Sequence, residues 1–172
     1  MKALVRMMGE YNRWANERLF HDCSQLTEEQ LTRDFGSEYP TIHATLDHGL
    51  LVDRIWLDRF SNRAPVYVDF ETKVTSSFAD LAKERSFTDE DLSCFINGVS
   101  EARLLEDIRY TTIREPETVT QPLGSSLLHV FHHQCHYRGQ VHAFLHMLGL
   151  KPRNLDLLHF QRQTRLGGMA LA

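Results

Sequence analysis

Between residues 2 and 24, apolar side chains recur every third or fourth position, at Leu4, Met7, Met8, Tyr11, Trp14, Ala15 and Leu19. That spacing predicts an amphipathic helix with one buried face. Thr27-Glu-Glu-Gln30 has capping-box form and predicts a further helical turn, broken at Phe35-Gly36. Pro40-Thr41 opens a second long helix to about Phe60, and its apolar residues, from Ile42 through Leu50, Leu51, Ile55 and Trp56, nearly encircle it. A helix of that kind has neighbours on several sides. Phe78, Leu81, Leu92, Phe95, Ile96 and Val99 predict a third long helix over about 74–99, read as continuous although Ser86-Phe87-Thr88 could restart it. β-branched and aromatic residues on either side of Glu115-Pro116-Glu117 predict a small hairpin after residue 108. A fourth long helix spans about 124–148, with Gly149 and Pro152 as its stop signal. Asp156 to Arg162 predicts a short last helix ahead of a loose tail. The architecture expected is all-α, a four-helix bundle with a small hairpin before the last long helix.

Composition narrows this picture only a little. The 172 residues fit one domain, 1–172, long enough to bury a core without staples. A net charge of −4 with no Lys/Arg stripe argues against a nucleic-acid binder. No apolar run approaches the roughly 20 residues that span a bilayer, and no signal peptide is visible. The cysteines Cys23, Cys94 and Cys135 are odd in number and widely spaced, which fits a reduced, cytoplasmic protein.

The distribution of histidine changes the picture more. Six of the ten histidines fall between His129 and His146 on the fourth long helix. With the apolar stripe drawn through Leu127, Val130, Val141, Leu145 and Leu148, His133 and Tyr137 lie on its flank, one turn apart. His129, His133, His136 and Gln140 form a neighbouring line at spacings of four, three and four. Imidazoles three or four apart can reach one ion. Helix two offers His48, set among Leu46, Leu50 and Leu51, as a ligand from a second element. Three nitrogen ligands with open positions left over suit zinc or nickel. A lone helical histidine is more often a surface or hydrogen-bonded core residue, and His21, His43, His142, His146 and His159 are read so. Trp14 and Trp56 read as core. Asp47 and Asp53 read as solvated, with the option of orienting a ligand imidazole.

The stretch Leu128-His-Val-Phe-His-His133-Gln-Cys-His136-Tyr137-Arg138-Gly139-Gln140 resembles the signature of the DinB family of metalloenzyme-like proteins. His48-Gly-Leu-Leu-Val-Asp53-Arg54-Ile-Trp56 resembles that family's helix-two ligand and its following residues, and Leu148-Gly149 through Arg162 resembles its C-terminus. The resemblance implies a four-helix bundle holding a divalent ion near one end, commonly as a homodimer. It also implies a small-molecule substrate, since some relatives are metal-dependent thiol-S-transferases acting with a low-molecular-weight thiol. Alignment on Arg138-Gly139-Gln140 puts His133 at the first helix-four ligand and Tyr137 where the family has its second histidine. Three outcomes stay open. His136 takes over the missing place, which is the expectation adopted together with His48 and His133; Tyr137 approaches the ion; or the site holds no metal. Tyr137 is also the candidate catalytic hydrogen-bond donor, and Arg138 and Gln140 could orient polar groups. Against the enzyme stand a non-catalytic, stress-related bundle that binds metal or a partner, and a metal-dependent hydrolase using Asp47 or Asp53.

Overall fold

The computed structural model describes residues 1–164; the tail expected beyond the last helix lies outside them. Four long helices carry the fold: α1 (Lys2–Cys23), α3 (Ile42–Phe60), α4 (Phe78–Gly98) and α6 (Leu123–Met147). Between them lie the short helices α2 (Glu28–Thr32) and α5 (Glu101–Leu105), and α7 (Leu157–Thr164) closes the described chain. Strands β1 (Asp107–Thr111) and β2 (Thr118–Pro122) pair antiparallel, with Arg109 opposite Thr120. Helix α1 packs on α4 and α6, and α3 packs on the same two, which gives a four-cornered bundle. The architecture is the all-α bundle that the apolar spacing predicts.

Local signals place the helix ends. Thr41 caps α3, its hydroxyl accepting from the Ala44 N–H at 3.0 Å, and the Thr27/Gln30 capping box forms at α2. Nearly the whole circumference of α3 is buried, because α2, α4, α6 and β1 all lie against it. Helix α4 runs unbroken through Ser86-Phe87-Thr88. It begins at Phe78, capped by Ser77, and not near residue 74, because Asp47 claims the preceding segment. That carboxylate accepts from the backbone N–H groups of Val74 (2.8 Å) and Thr75 (2.9 Å) and from the Thr75 hydroxyl.

Two apolar clusters occupy the ends of the bundle. One gathers Val5, Trp56, Phe60, Leu92, Ile96, Leu127 and Phe131. The other gathers Leu19, Leu46, Leu50, Leu81, Val141 and Leu145. Midway along each helix, between the two sets, sit Asn12 and Asn16 on α1, Asp53 on α3, Arg85 and Asp89 on α4, and Gln134 and Arg138 on α6, all buried. Arg85 approaches Asp53 at 2.8 Å and Asp89 at 2.9 Å, as close ion pairs whose angles depart from good hydrogen-bond geometry. Arg138 donates to the amide oxygens of Asn12 and Asn16, and Asn16 donates to Asp89 at 3.0 Å. Two acids thus face two guanidiniums, and the layer is neutral. Asp53 and Asp47 are not solvated, as their charge alone suggested, since each finds its partner on a distant segment. Burial holds the Asp53 carboxyl above its usual range and that of Asp89 at about 6, in both cases against the pull of Arg85.

Candidate metal centre

One hydrogen bond determines which residues face each other across the α3–α6 contact. The Gln134 amide donates to the carbonyl of Gly49 at 3.0 Å. Residue 49 carries no Cβ, and one added there would come within 3.4 Å of that amide nitrogen. The close approach sets the register of the two helices. Their preceding neighbours, His48 and His133, consequently meet with ring centroids 5.4 Å apart. Tyr137, one turn beyond His133, completes a triangle at 4.6 Å from the His133 ring and 4.8 Å from the His48 ring.

Other side chains enclose the triangle. Tyr39, from the segment before α3, stacks flat on His48, with centroids 3.8 Å apart and planes 18° from parallel. Phe70 meets His48 edge-on at 6.2 Å, from the link that Asp47 pins down. His129 extends the row on α6, 6.0 Å from His133, and its other neighbour is the Trp56 ring at 5.3 Å. His136 stands on the far side of Tyr137, ring perpendicular at 4.9 Å, exposed, with Nε2 2.9 Å from the Gln140 amide nitrogen. The structure therefore brings His48, His133 and Tyr137 together and leaves His136 outside the triangle. Arg138 does not face this site; it belongs to the buried polar layer. Neither Asp47 nor Asp53 orients an imidazole, because both are engaged elsewhere.

The electrostatics favour neutral rings. Burial pushes the His48 imidazole down to about 4. Burial, followed by the neighbouring His48, His129 and His136, pushes His133 down to about 3. Neither ring therefore carries a proton that an incoming cation would have to displace at neutral pH. The Nδ1 atoms of both rings are buried without a hydrogen-bond partner. An unsatisfied buried polar atom costs roughly 1–3 kcal/mol, so two in adjacent rings call for a shared partner. Ring nitrogens bond zinc at about 2.0–2.1 Å, which puts two ring centres on one tetrahedral ion roughly 5 Å apart. The observed pair falls close to that span. Its donor chemistry suits a borderline divalent ion, with two neutral imidazoles and a phenol in third place. Among the described residues, no three His, Cys, Asp or Glu side chains gather as a ligand set. Burial, with Glu38 nearby, raises the Tyr137 phenol above its ordinary value, so it is a proton donor at neutral pH.

Comparison with known proteins identifies the family. The sequence profile of the DinB family matches residues 1–167. The chain belongs to the DinB family. Protein DinB of Bacillus subtilis (strain 168) is 25% identical over 167 residues, covering 90% of this chain and 93% of that protein. Two residues around this candidate site carry almost no signal in the sequence. Tyr39 and Phe70 lie in connecting segments, where no helical period marks a side chain as inward-facing. The only local hint for Tyr39 was the following Pro40, which restricts it to extended backbone just ahead of a helix cap.

Proposed function

We propose that this DinB-family chain is a divalent-metal-dependent enzyme, a zinc or nickel thiol-S-transferase that joins a low-molecular-weight thiol to a small electrophilic substrate. The observation that carries the reading is the pairing of His48 and His133, two neutral imidazoles from separate helices, each with a buried Nδ1 lacking a partner. These two residues would hold the ion. Its chemistry would be that of a Lewis acid, lowering a thiol's pKa from about 8.5 so that thiolate exists at neutral pH. Tyr137, adjacent to both rings, is the nearest candidate for the third place, and His136 is the alternative across the helix. As a protonated phenol, Tyr137 would otherwise donate a hydrogen bond to the substrate. Tyr39 and Phe70 would keep water from one side of the site. A cytoplasmic homodimer is part of the proposal, resting on the family resemblance and on cysteines that form no disulfide.

One observation favours a second reading, a non-catalytic bundle that binds metal or a partner: a tyrosine occupies the position of the family's third imidazole. The hydrolase reading loses support, since Asp47 and Asp53 are both committed away from the site. Elemental analysis of untagged protein, wild type against His133→Ala, tests the centre directly. Consumption of glutathione with 1-chloro-2,4-dinitrobenzene tests the activity. The enzyme reading expects bound metal and thiol transfer that are both lost in the variant. Bound metal without transfer would favour the binding protein, and negligible metal in both samples would end both metal readings.

A further inference from the structure

A cavity of about 380 Å³ lies between the C-terminal half of α3, the chain that follows it and the β1–β2 hairpin. None of His48, His133 and Tyr137 lines it. Trp56 separates the two places, its ring 5.2 Å from Tyr110 at the cavity and 5.3 Å from His129 in the imidazole row. The walls are largely apolar, formed by Ile55, Val68, Tyr110 and Ile113. The size lies within the range of small-molecule sites, about 300–1,000 Å³.

Its charge is one-sided. Arg59 sits between two aromatic faces, 4.7 Å from the Trp56 centroid and 4.3 Å from that of Tyr110, and donates to the Thr111 carbonyl at 3.2 Å. Among the described residues no carboxylate lies within ion-pair reach of Arg59 or of Arg109, which also lines the cavity. The cavity's one acid, Asp58, is already engaged by the Arg63 guanidinium at 3.3 Å and the Val66 N–H at 3.2 Å. Burial accordingly lowers the Arg59 pKa, with only Tyr110 opposing. A half-buried cation without a counter-charge is costly unless something supplies one. A planar guanidinium in an apolar recess is suited to an oxyanion that brings its own apolar body.

We infer that the cavity between α3 and the hairpin is a binding site for an amphipathic organic anion, its carboxylate or similar oxyanion meeting Arg59 and Arg109 and its apolar body lying against Ile55, Val68 and Tyr110. The site goes beyond the proposed metal function and does not depend on it.

The test uses the full-length, ¹⁵N-labelled protein titrated with 2-naphthoate, with its neutral analogue 2-naphthylmethanol, and with inorganic phosphate alone. The expected result is saturable movement of the Ile55, Tyr110, Thr111 and Ile113 amide signals by 2-naphthoate. The neutral analogue and free phosphate should each bind about tenfold more weakly or worse. Arg59→Gln and Arg109→Gln should each weaken 2-naphthoate binding by about tenfold. Arg109 is exposed on β1, so its variant keeps the fold even if Arg59→Gln disturbs the stack. Binding should persist in His48→Ala, whatever becomes of the metal. Signal changes confined to other parts of the protein would overturn the inference. So would equal affinity for 2-naphthylmethanol or phosphate, or undiminished affinity in Arg109→Gln.

Discussion

Tyr39 lies flat against His48, their ring centroids 3.8 Å apart, and no carboxylate or carbonyl among the described residues hydrogen-bonds to that imidazole. Histidine ligands are usually oriented by a hydrogen bond from the second ring nitrogen to a carboxylate or carbonyl. If His48 holds an ion, the Tyr39 face would take that place, because the adjacent carboxylate, Asp47, is bound to the Val74–Thr75 backbone. The stack needs a ring and no hydroxyl. Tyr39→Phe is therefore expected to keep the affinity for zinc, measured by competition with a chelator. Tyr39→Ala is expected to lose about 10-fold to 100-fold, the usual cost of removing a residue that orients a ligand. Equal losses in both variants would show that the phenol, and not the stack, matters.

The depressed imidazoles give stability a pH dependence of definite sign. Unfolded histidine titrates near 6.5, whereas His133 titrates at about 3 and His48 at about 4 in the folded chain. Below about pH 6.5 the unfolded chain takes protons that the native rings refuse. Their contribution is thus complete above that pH and is lost as pH falls toward 4 and then 3. Asp89 runs the other way. Its folded value of about 6 lies above the unfolded one, so its contribution is full in acid and is lost as pH rises from about 4 through 6. Replacing a histidine isolates the first effect. The metal-free wild type should lose about 1–2 kcal/mol more than His133→Leu between pH 7 and pH 5, by denaturant unfolding. Identical losses would contradict a neutral, buried His133.

How far the sequence reveals the protein depends on whether a signal is periodic or depends on a distant partner. The four long helices, the helix start at Pro40-Thr41 and the hairpin are legible because spacing and turn chemistry act within a few residues. Helix α5, with five residues, is too short to show a period. The start of α4 shifted because Asp47, from another helix, binds the segment before it. The same limit applies to Asp53 and Arg138. Asp53 reads as solvated and Arg138 as a group that could orient polar substrate, until Arg85 on α4 and the Asn12–Asn16 pair on α1 come into view. At the candidate site, His48 and His133 were legible from helical position. Tyr39 was not, since stacking across a loop leaves no local trace.

The polar layer carries its own prediction. Arg85 lies between Asp53 and Asp89, and all three are almost fully buried. Removing the central cation leaves two carboxylates facing each other in the bundle interior, so Arg85→Met is expected to cost about 3–5 kcal/mol in denaturant unfolding near neutral pH. The loss should shrink in acid, where the carboxylates accept protons and the repulsion disappears. A cost below about 1 kcal/mol would mean that water enters this layer.

Tyr137 stands within 5 Å, ring to ring, of both His133 and His48, at 4.6 and 4.8 Å. His136 is one position earlier, about 100° around the helix, and its Nε2 rests against the Gln140 amide. If position 137 faces the ion, a third imidazole there should complete the donor set without any movement of the helices. A neutral imidazole is a better ligand than a phenol whose proton burial makes harder to remove. Tyr137→His is therefore expected to tighten zinc or nickel binding by about tenfold or more. His136→Ala should leave binding within about twofold of wild type, because its loss removes exposed contacts with Gln140 and the Tyr137 ring and no donor from the triangle. The reverse pattern, with affinity falling in His136→Ala and unchanged in Tyr137→His, would move the third ligand to the outer face of the helix. Calorimetric titration of the two variants beside the wild type decides between these positions. The same variants assayed for thiol transfer separate ion binding from activity: Tyr137→His should bind more tightly yet turn over more slowly if the phenol donates a proton to the substrate.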